Sequence, residues 1–384
     1  MRLRRGAWSL DRQQQPELGP SIHDFLLRHR ERIGLDSAGQ TLPDEPLLGP
    51  FPGGIRWAPG ALDGMTGRHI APPADPLLAE EVRDSILVLT VDDPPSDALT
   101  HLYRITAEPR AIAYVDQVLR AVLAEPGIDL DRVREIGRWL ATRGDRREPV
   151  KLGIALLGAT ISPDALDVFL TLGRHDEFTL YCAVAIRATF KTPDRVLWEV
   201  GRHVTGWGRV EIVYRLYDSQ LPDVRAWLLR DGFRNEVDLG YTAALVAIGC
   251  NLARALEIDE DEALVDAATE MIGAMSETGG PGLTLASYPD AARAIDQILQ
   301  RLAVRPPVIS RGAALLALRE WLTTDESEPE DPALAAAARR AFADRVNKVL
   351  YQPAWVDAVN EAITSDDPDR REQAALLRAA LNIV

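Results

Sequence analysis

The chain repeats a helix-start signal at a nearly fixed spacing. Proline-aspartate pairs occur at Pro163 and Asp164, at Pro193 and Asp194, and at Pro222 and Asp223, which are 30 and 29 residues apart. Proline suits the first helical turn because its missing N–H would be unpaired there, and aspartate accepts hydrogen bonds from the other unpaired N–H groups. Helical pairs that repeat at a fixed period bury their apolar faces by stacking on their neighbours. The spacing therefore predicts an array of two-helix repeats.

The apolar residues follow the same period. A stripe spaced by four, three and four residues at Val150, Ile154, Leu157 and Ile161 returns 87 residues later, three times 29, at Val237, Tyr241, Ala244 and Ile248. A helix face repeats every 3.6 residues and has no reason to repeat every 29. We therefore expect both stripes to face a shared core, with the clearest repeats between residues 148 and 252.

The segment before residue 77 differs from the rest of the chain. Residues 1–76 contain clusters of proline and glycine and one short predicted helix, which Ser21 caps and which covers residues 22–33. This arm either packs on the first repeat or is a disordered tail. Residues 77–384 show helical periodicity and no strand pattern. The predicted fold is all-α: a right-handed α-solenoid of stacked helical hairpins with an irregular N-terminal arm.

Charge and cysteine content limit the partners and the compartment. A formal net charge of −15 argues against non-specific binding to nucleic acid or to anionic lipid. Cys182 and Cys250 lie in apolar helical runs and predict buried thiols, which suit a reducing compartment. No segment has the apolar length of a secretory signal or a membrane span. We expect a cytoplasmic protein that contacts no membrane.

The sequence lacks the usual catalytic signatures. It contains no Gly-x-Ser-x-Gly, no phosphate loop, no Cys-x-x-Cys and no His-Glu-x-x-His. Gly206 and Gly208 begin a dinucleotide-like pattern, but Glu211 stands where the third glycine belongs. The acidic run that starts at Asp259 has Leu264 where a calcium loop needs glycine. These observations predict no enzymatic activity, no cofactor and no metal site.

Arginine and histidine recur near the ends of successive helices. Gly-Arg-His occurs at Arg174 and His175 and again at Arg202 and His203, and Arg230 continues the spacing. Such a row could bind carboxylates or phosphates, with the histidines sensitive to pH near neutrality. Alternatively, the cations cap helix C-termini and interact only with the helix dipole.

Arginine and aromatic residues also concentrate between residues 206 and 235. The candidate binding surface consists of Trp207, Arg209, Tyr214, Arg230 and Arg234, because arginine and aromatic side chains dominate interface energetics. In the alternative interpretation Trp207 fills a turn between repeats. The arginines then pair with nearby acids, namely Glu211, Asp218, Asp231 and Glu236.

The repeat period and the helix-start signals resemble those of HEAT and armadillo α-solenoids. The stretches Gly206 to Arg209 and Trp227 to Asn235 are similar to a segment of bacterial helical-repeat proteins with no assigned activity. The resemblance covers residues 148 to 252, and these repeats are shorter than the roughly 40 residues of typical members. It implies a scaffold or binding role and carries over no catalytic residue.

Two functions follow as hypotheses. The first is a non-enzymatic scaffold or adaptor that binds another protein through the repeat surface. The second is a nucleic-acid-binding protein or DNA glycosylase of the HEAT-like kind, with Trp207, Tyr214 and Trp227 around a damaged base and Asp218 or Asp223 as the acid. The second needs a basic groove, which the acidic composition disfavours. The sequence predicts neither the partner's identity nor the oligomeric state.

Overall fold

A computed structural model describes residues 8–48, 57–70, 74–324 and 327–383. Within these ranges the regular structure is all-helical, and the only strand-like pairing is an isolated antiparallel bridge between Arg30 and Leu35. By its internal contacts the chain divides into two compact units, Met1–Ile212 and Val213–Val384. The predicted end of the arm at residue 76 falls inside the first unit.

The first unit contains ten helices among the described residues. They are α1 (Ile22–Arg28), α2 (Ala61–Arg68), α3 (Pro76–Leu89), α4 (Ala98–Thr106), α5 (Val115–Leu123), α6 (Leu130–Arg143), α7 (Arg147–Ala159), α8 (Leu166–Leu172), α9 (Asp176–Thr189) and α10 (Asp194–Gly201). Helix α7 contacts α4, α5, α6 and α9, and both α8 and α10 pack on α9. Consecutive helices contact one another at α3–α4, α6–α7, α8–α9 and α9–α10.

Helix α11 (Trp207–Leu216) runs across the boundary, and the second unit follows it. Its helices are α12 (Pro222–Trp227), α13 (Ala243–Gly249), α14 (Leu252–Ile258), α15 (Glu262–Ser276), α16 (Ala291–Leu302), α17 (Ile309–Thr324), α18 (Ala336–Leu350), α19 (Ala354–Ala362) and α20 (Pro368–Leu381). Helices α13, α15, α17 and α20 contact one another in succession, and so do α14, α16 and α18.

The three proline-aspartate pairs begin helices, as predicted. Pro163 opens a single 3-10 turn that leads into α8, whereas α10 begins at Asp194 and α12 at Pro222. Each aspartate lies in the first turn of its helical segment, where a negative charge is favourable near the unpaired N–H groups.

The predicted core stripes are buried at most of their positions, but Val237, the first residue of the second stripe, is only half-buried. Val150, Ile154 and Leu157 are inaccessible to solvent, and Tyr241 and Ala244 are buried. Two predictions of core positions are wrong, since 61% of Ile161 and 39% of Ile248 are exposed. Helix α7 ends at Ala159, and Ile161 follows it with a φ of 50°, so it no longer continues the buried helix face.

The N-terminal arm packs on several helices of the first unit and not on one repeat alone. Helix α1 contacts α6 and α8, and α2 contacts α9. Ser21 caps α1 as predicted, because its Oγ accepts a hydrogen bond from Asp24 N (3.2 Å), but the helix ends at Arg28 and not at residue 33. The same Oγ donates to the carbonyl oxygen of Thr142 in α6 (2.6 Å). Of the proline-glycine clusters at 48–54 and 71–76, residues 49–54 and 71–73 lie outside the described residues.

Both cysteines are buried free thiols, in agreement with the prediction. Burial raises the pKa of Cys182 and of Cys250, so neither thiolate is favoured. Across the described ranges no single helix has the length and apolarity to cross a membrane. One bent pair, Leu239–Gly249 with Leu252–Ile258, meets that test only when its two parts are taken together.

Candidate functional site

The Gly-Arg-His positions contact the chain's own N-terminal arm. Nη1 of Arg174 donates to the carbonyl oxygens of Glu31 (3.0 Å) and Gly34 (3.3 Å). Arg202 instead pairs with Glu199 (2.6 Å), and its guanidinium lies over the ring of Trp198. These two arginines of the predicted row therefore have different roles. Arg174 binds the backbone of the arm, whereas Arg202 contacts side chains of the adjoining helix, α10.

His175 connects the arm to the start of α9. Its Nδ1 accepts a hydrogen bond from Glu177 N (3.2 Å), which makes it the N-cap of that helix, and its Nε2 lies 3.2 Å from the carbonyl oxygen of Gln40. A carbonyl only accepts, so the ring proton is on Nε2. Burial lowers the pKa of His175, which agrees with a neutral imidazole.

His203 repeats this arrangement one repeat later. Its Nδ1 accepts from Gly34 N (3.1 Å), and its Nε2 donates to the carboxylate of Glu199 (3.1 Å). Burial lowers the pKa of His203, Glu199 opposes that change, and Arg174 adds to it. Both histidines therefore act as neutral rings that hold arm residues 34–40 through backbone groups.

The members of the predicted arginine-aromatic surface have different environments. Trp207 and Arg209 are buried in the first unit. The indole of Trp207 packs on Gly64 of α2, where a Cβ would overlap the ring, and Nε of Arg209 donates to the carbonyl of Val204 (2.9 Å). Tyr214 belongs to the second unit, where it is half-buried.

Arg230 and Arg234 form ion pairs within the second unit. Arg230 contacts Asp259 (2.5 Å) and Asp261 (2.8 Å), and both nitrogens of the Arg234 fork reach Glu270 (2.7 and 3.0 Å). These acids lie 29 to 36 residues away in sequence, so both arginines pair with acids that the sequence analysis did not name as their partners. A π-helical turn, Leu228–Gly232, precedes Arg234.

A buried lysine and three carboxylates form a second cluster, which the sequence analysis missed. Nζ of Lys151 lies 2.6 Å from Glu177 Oε1, 2.8 Å from Asp63 Oδ2 and 3.0 Å from Glu148 Oε1. Only 2% of the Lys151 side chain is exposed. These four residues are called the Lys151 cluster below.

Three helix starts meet at this cluster. Asp63 lies in the first turn of α2, Glu148 in that of α7 and Glu177 in that of α9. A carboxylate is favoured near a helix N-terminus because the unpaired N–H groups there carry partial positive charge. Lys151, one turn after Glu148, is placed to join all three.

Every carboxylate oxygen of the cluster has a donor. Glu148 also accepts from Ala111 N (2.7 Å), and Glu177 from Gly60 N (3.0 Å). Asp63 also accepts from Arg110 (3.0 Å) and from the Tyr181 hydroxyl (3.2 Å). The hydrogen-bonding capacity of the cluster is therefore used within the protein, which suits a structural role better than a catalytic one.

Burial and charge act in opposite directions on these groups. Burial would lower the pKa of Lys151, but the three carboxylates raise it well above its ordinary value. Burial would raise the pKa of Glu177, but Lys151 and Arg147 lower it to about 2. The pKa of Glu148 remains raised by burial, despite Lys151. The Lys151 ammonium therefore favours the ionised form of Glu177 and limits the rise in the pKa of Glu148.

Arg147, beside the cluster, fastens a further part of the arm. Its guanidinium contacts Asp44 (2.9 Å) and Glu45 (2.6 Å), and its backbone N–H donates to Asp44 (2.9 Å). Together with Asp63, these contacts join both described parts of the arm to α7 and α9.

One sequence signal pointed to the cluster. The chain has only three lysines, and Lys151 stands within the apolar stretch that starts at Val150. A lysine on a buried helix face needs acidic partners. Glu148, three residues earlier, is one of them, whereas Asp63 and Glu177 come from distant helices that no local pattern identifies.

The second unit carries a groove of about 1140 Å³ between α15, α17 and α20. Small residues form much of its lining: Gly273, Ala274, Ala313, Ala314 and Ala317. Six acids also line it, namely Asp238, Glu270, Glu277, Glu320, Asp369 and Glu372, against one arginine, Arg319. The groove is therefore lined largely by small side chains and is strongly acidic.

No group of three or more histidine, cysteine, aspartate or glutamate side chains is arranged to hold a metal ion within the described part of the chain. Comparison with protein-family models, with curated proteins and with solved structures finds no match to this chain. Its function has to be inferred from its own residues.

Proposed function

We propose that the chain is a non-enzymatic scaffold that binds another protein, and that the groove of the second unit receives a basic segment of that partner. The observation that carries this proposal is the charge of the groove, with six acids and one arginine around a lining of small residues. A lining of glycine and alanine lets a partner's backbone approach closely, and the acids attract lysine and arginine.

The acids of the groove are largely uncommitted to other charges. Glu277, Glu320, Asp369 and Glu372 form no ion pair with any described residue, whereas Glu270 is held by Arg234. Burial raises the pKa of Glu277, and Asp238 adds to the rise. A cation that entered the groove would relieve this repulsion, which favours a basic partner.

The arginines predicted to bind a partner contribute to this groove indirectly. Arg234 fixes Glu270 on α15, and Asn235 Oδ1 accepts from the backbone N–H of Asp238 (2.8 Å), another residue that lines the groove. The segment around residues 227–235 therefore positions acidic groups of the surface, and its own charges are paired.

The solenoid architecture is part of the proposal. The successive contacts α13–α15–α17–α20 and α14–α16–α18 support stacked helical hairpins of the HEAT or armadillo kind, with the groove on one row. Reduced thiols and a negative net charge support a cytoplasmic location. An acidic groove repels phosphate, so it supports a protein partner over nucleic acid.

A designed helical peptide with lysine and arginine along one face tests the proposal. We expect saturable binding that weakens with salt, and no binding of the same peptide with glutamate at the basic positions. Replacing Glu320 and Glu372 by lysine should weaken binding by about tenfold or more, because each substitution turns an attraction into a repulsion.

The matched control is Glu135→Lys, an exposed charge reversal on α6 in the first unit. It changes the net charge without touching the groove and should leave the affinity unaltered. Equal binding of the basic and acidic peptides, or equal loss in the control and the groove variant, would contradict the proposal. A fluorescence anisotropy titration at two salt concentrations measures all of these affinities.

A further inference from the structure

The Lys151 cluster lies at the floor of a cavity of about 410 Å³ in the first unit. The charged groups at the floor of the cavity form ion pairs with one another: Lys151 contacts three carboxylates, and Arg147 contacts Asp44 and Glu45. A ligand that competed for these groups would have to break buried ion pairs, which is costly. The groups that can bind a ligand are therefore those at the rim.

The rim carries charges of both signs that are not matched. Arg146 and Glu108 line the same cavity, and neither side chain makes a hydrogen bond or an ion pair with another described residue. Arg110 donates from Nη2 to Asp63 (3.0 Å) and Thr66 (3.3 Å), while its Nε and Nη1 have no acceptor among the described residues. The rim thus offers two guanidinium groups and one carboxylate to solvent.

Apolar side chains lie beside these charges. Trp57 and Leu47 line the cavity although 38% and 57% of them, respectively, are exposed, and Leu48, Leu62 and Ala107 extend the apolar wall. Sites for small molecules are commonly apolar cavities of roughly 300 to 1,000 Å³ with a few polar groups that fix orientation. The cavity has this character.

We propose that this cavity binds a small zwitterion with an apolar side chain, of the class of the hydrophobic α-amino acids. Arg146 and Arg110 bind the carboxylate, Glu108 binds the ammonium group, and the apolar side chain packs on Trp57. A simple anion would leave Glu108 facing it, and a simple cation would face two arginines. Only a ligand with both charges satisfies the whole rim.

Three ligands that differ by one charge test the assignment on the unmodified protein. L-phenylalanine carries both charges, its N-acetyl derivative lacks the ammonium group, and its amide lacks the carboxylate. We expect L-phenylalanine to bind saturably in a calorimetric titration, and each derivative to bind about tenfold more weakly or worse, since a charged hydrogen bond is lost. Absence of saturable binding, or equal affinity for the three compounds, would overturn the proposal.

Variants then assign each charge to a residue. Arg146→Gln should lower the affinity for L-phenylalanine about tenfold and leave the affinity for its amide unchanged. Glu108→Gln should likewise lower the affinity for L-phenylalanine and leave the affinity for the N-acetyl derivative unchanged. Arg143→Gln removes an exposed arginine that does not line the cavity, and it should change nothing. A loss in Arg143→Gln equal to that in Arg146→Gln would count against the site. Because this cavity lies in the first unit, the groove variants Glu320→Lys and Glu372→Lys should retain phenylalanine binding.

Discussion

Replacing Lys151 by methionine is expected to destabilise the first unit by about 3–5 kcal/mol at pH 7.5. Methionine has a similar length but no charge, so Asp63, Glu148 and Glu177 would remain buried without the ammonium that contacts all three. Removing one partner of a buried ionic network leaves uncompensated charge in a medium that solvates it poorly. Urea unfolding of the two proteins measures the loss directly.

The loss in the Lys151 variant should depend on pH in a defined direction. Burial already raises the pKa of Glu148 in the presence of Lys151, and without the lysine the rise should be larger. A carboxyl whose pKa is raised by folding takes up a proton on folding, so its penalty decreases as the pH falls through the raised value. The variant should therefore lie closer to the wild type at pH 5 than at pH 7.5.

In the wild-type protein, Glu177 contributes a pH dependence of the opposite sign. The pKa of Glu177 is lowered to about 2 in the folded protein, below an unfolded value of about 4.3. Its contribution is therefore complete above the unfolded pKa and is lost as the pH falls towards 2. On acidification the wild type should therefore lose stability while the penalty in the variant decreases, so the difference between their free energies of unfolding should shrink.

Lys191→Met is the matched control for Lys151→Met. Lys191 is one of the other two lysines and is exposed, so its replacement should change the stability by no more than about 0.5 kcal/mol. A wild-type-like stability of the Lys151 variant at neutral pH would mean that the carboxylates are already protonated or solvated. In that case the described network would not hold the arm.

The helix array could be predicted because its signals are local. A proline-aspartate pair determines where a helix starts through groups within one turn, and Pro222 does so at the predicted residue. The apolar period also identifies the buried face at Val150, Ile154 and Leu157 of α7, although Ile248, which lies within α13, is exposed. It failed at Ile161, two residues after α7 ends, because a periodic pattern does not register a change of backbone direction.

The arm could not be placed from sequence because its partners are distant. Gly34 and Gln40 bind His203 and His175 through backbone atoms, which every residue possesses. Such contacts leave no trace in residue type on the arm side. The histidine side did carry a signal in the Gly-Arg-His spacing, but the spacing could not reveal that the ligand was the chain's own backbone.

The candidate surfaces show the same limit. Arginine and aromatic residues between 206 and 235 are typical of interfaces, yet Trp207 is buried against α2 and Arg230 is paired with Asp259. Burial of an aromatic and pairing of a cation depend on which helices become neighbours. The acidic groove arises for the same reason, since its acids come from α15, α17 and α20 and are scattered in the sequence.

Acidification should weaken the arm contact at His203 and the start of α9 at His175. Each ring accepts a backbone N–H at Nδ1, from Glu177 and from Gly34, and a second proton would place two N–H groups against each other. Leaving a buried donor without an acceptor costs about 1–3 kcal/mol, so the pair should account for about 2–6 kcal/mol. Arg147 near His175 and Arg174 near His203 oppose protonation, while the nearby carboxylates, including Asp44 and Glu199, favour it.

The sign of this dependence follows from the lowered histidine pKa values. Burial holds the pKa of both rings below the unfolded value of about 6.5, so the unfolded chain binds more protons in that range. Stability should be complete above about pH 6.5 and should fall as the pH drops below it. Hydrogen exchange at Gly34 N should accelerate over the same interval, because that amide loses its acceptor.

Asparagine at both positions separates this effect from the other four histidines. Its side-chain oxygen replaces Nδ1 as an acceptor and is a favourable N-cap at position 175, but it cannot be protonated in this range. His175→Asn with His203→Asn should cost about 1–3 kcal/mol at pH 7.5, since the Nε2–H bonds to Gln40 and Glu199 are lost. The difference from the wild type should then decrease or change sign by pH 5.5. Parallel stability curves for the two proteins would show that the rings do not carry the pH dependence, and the arm would then owe its attachment to Arg147 and the Lys151 cluster.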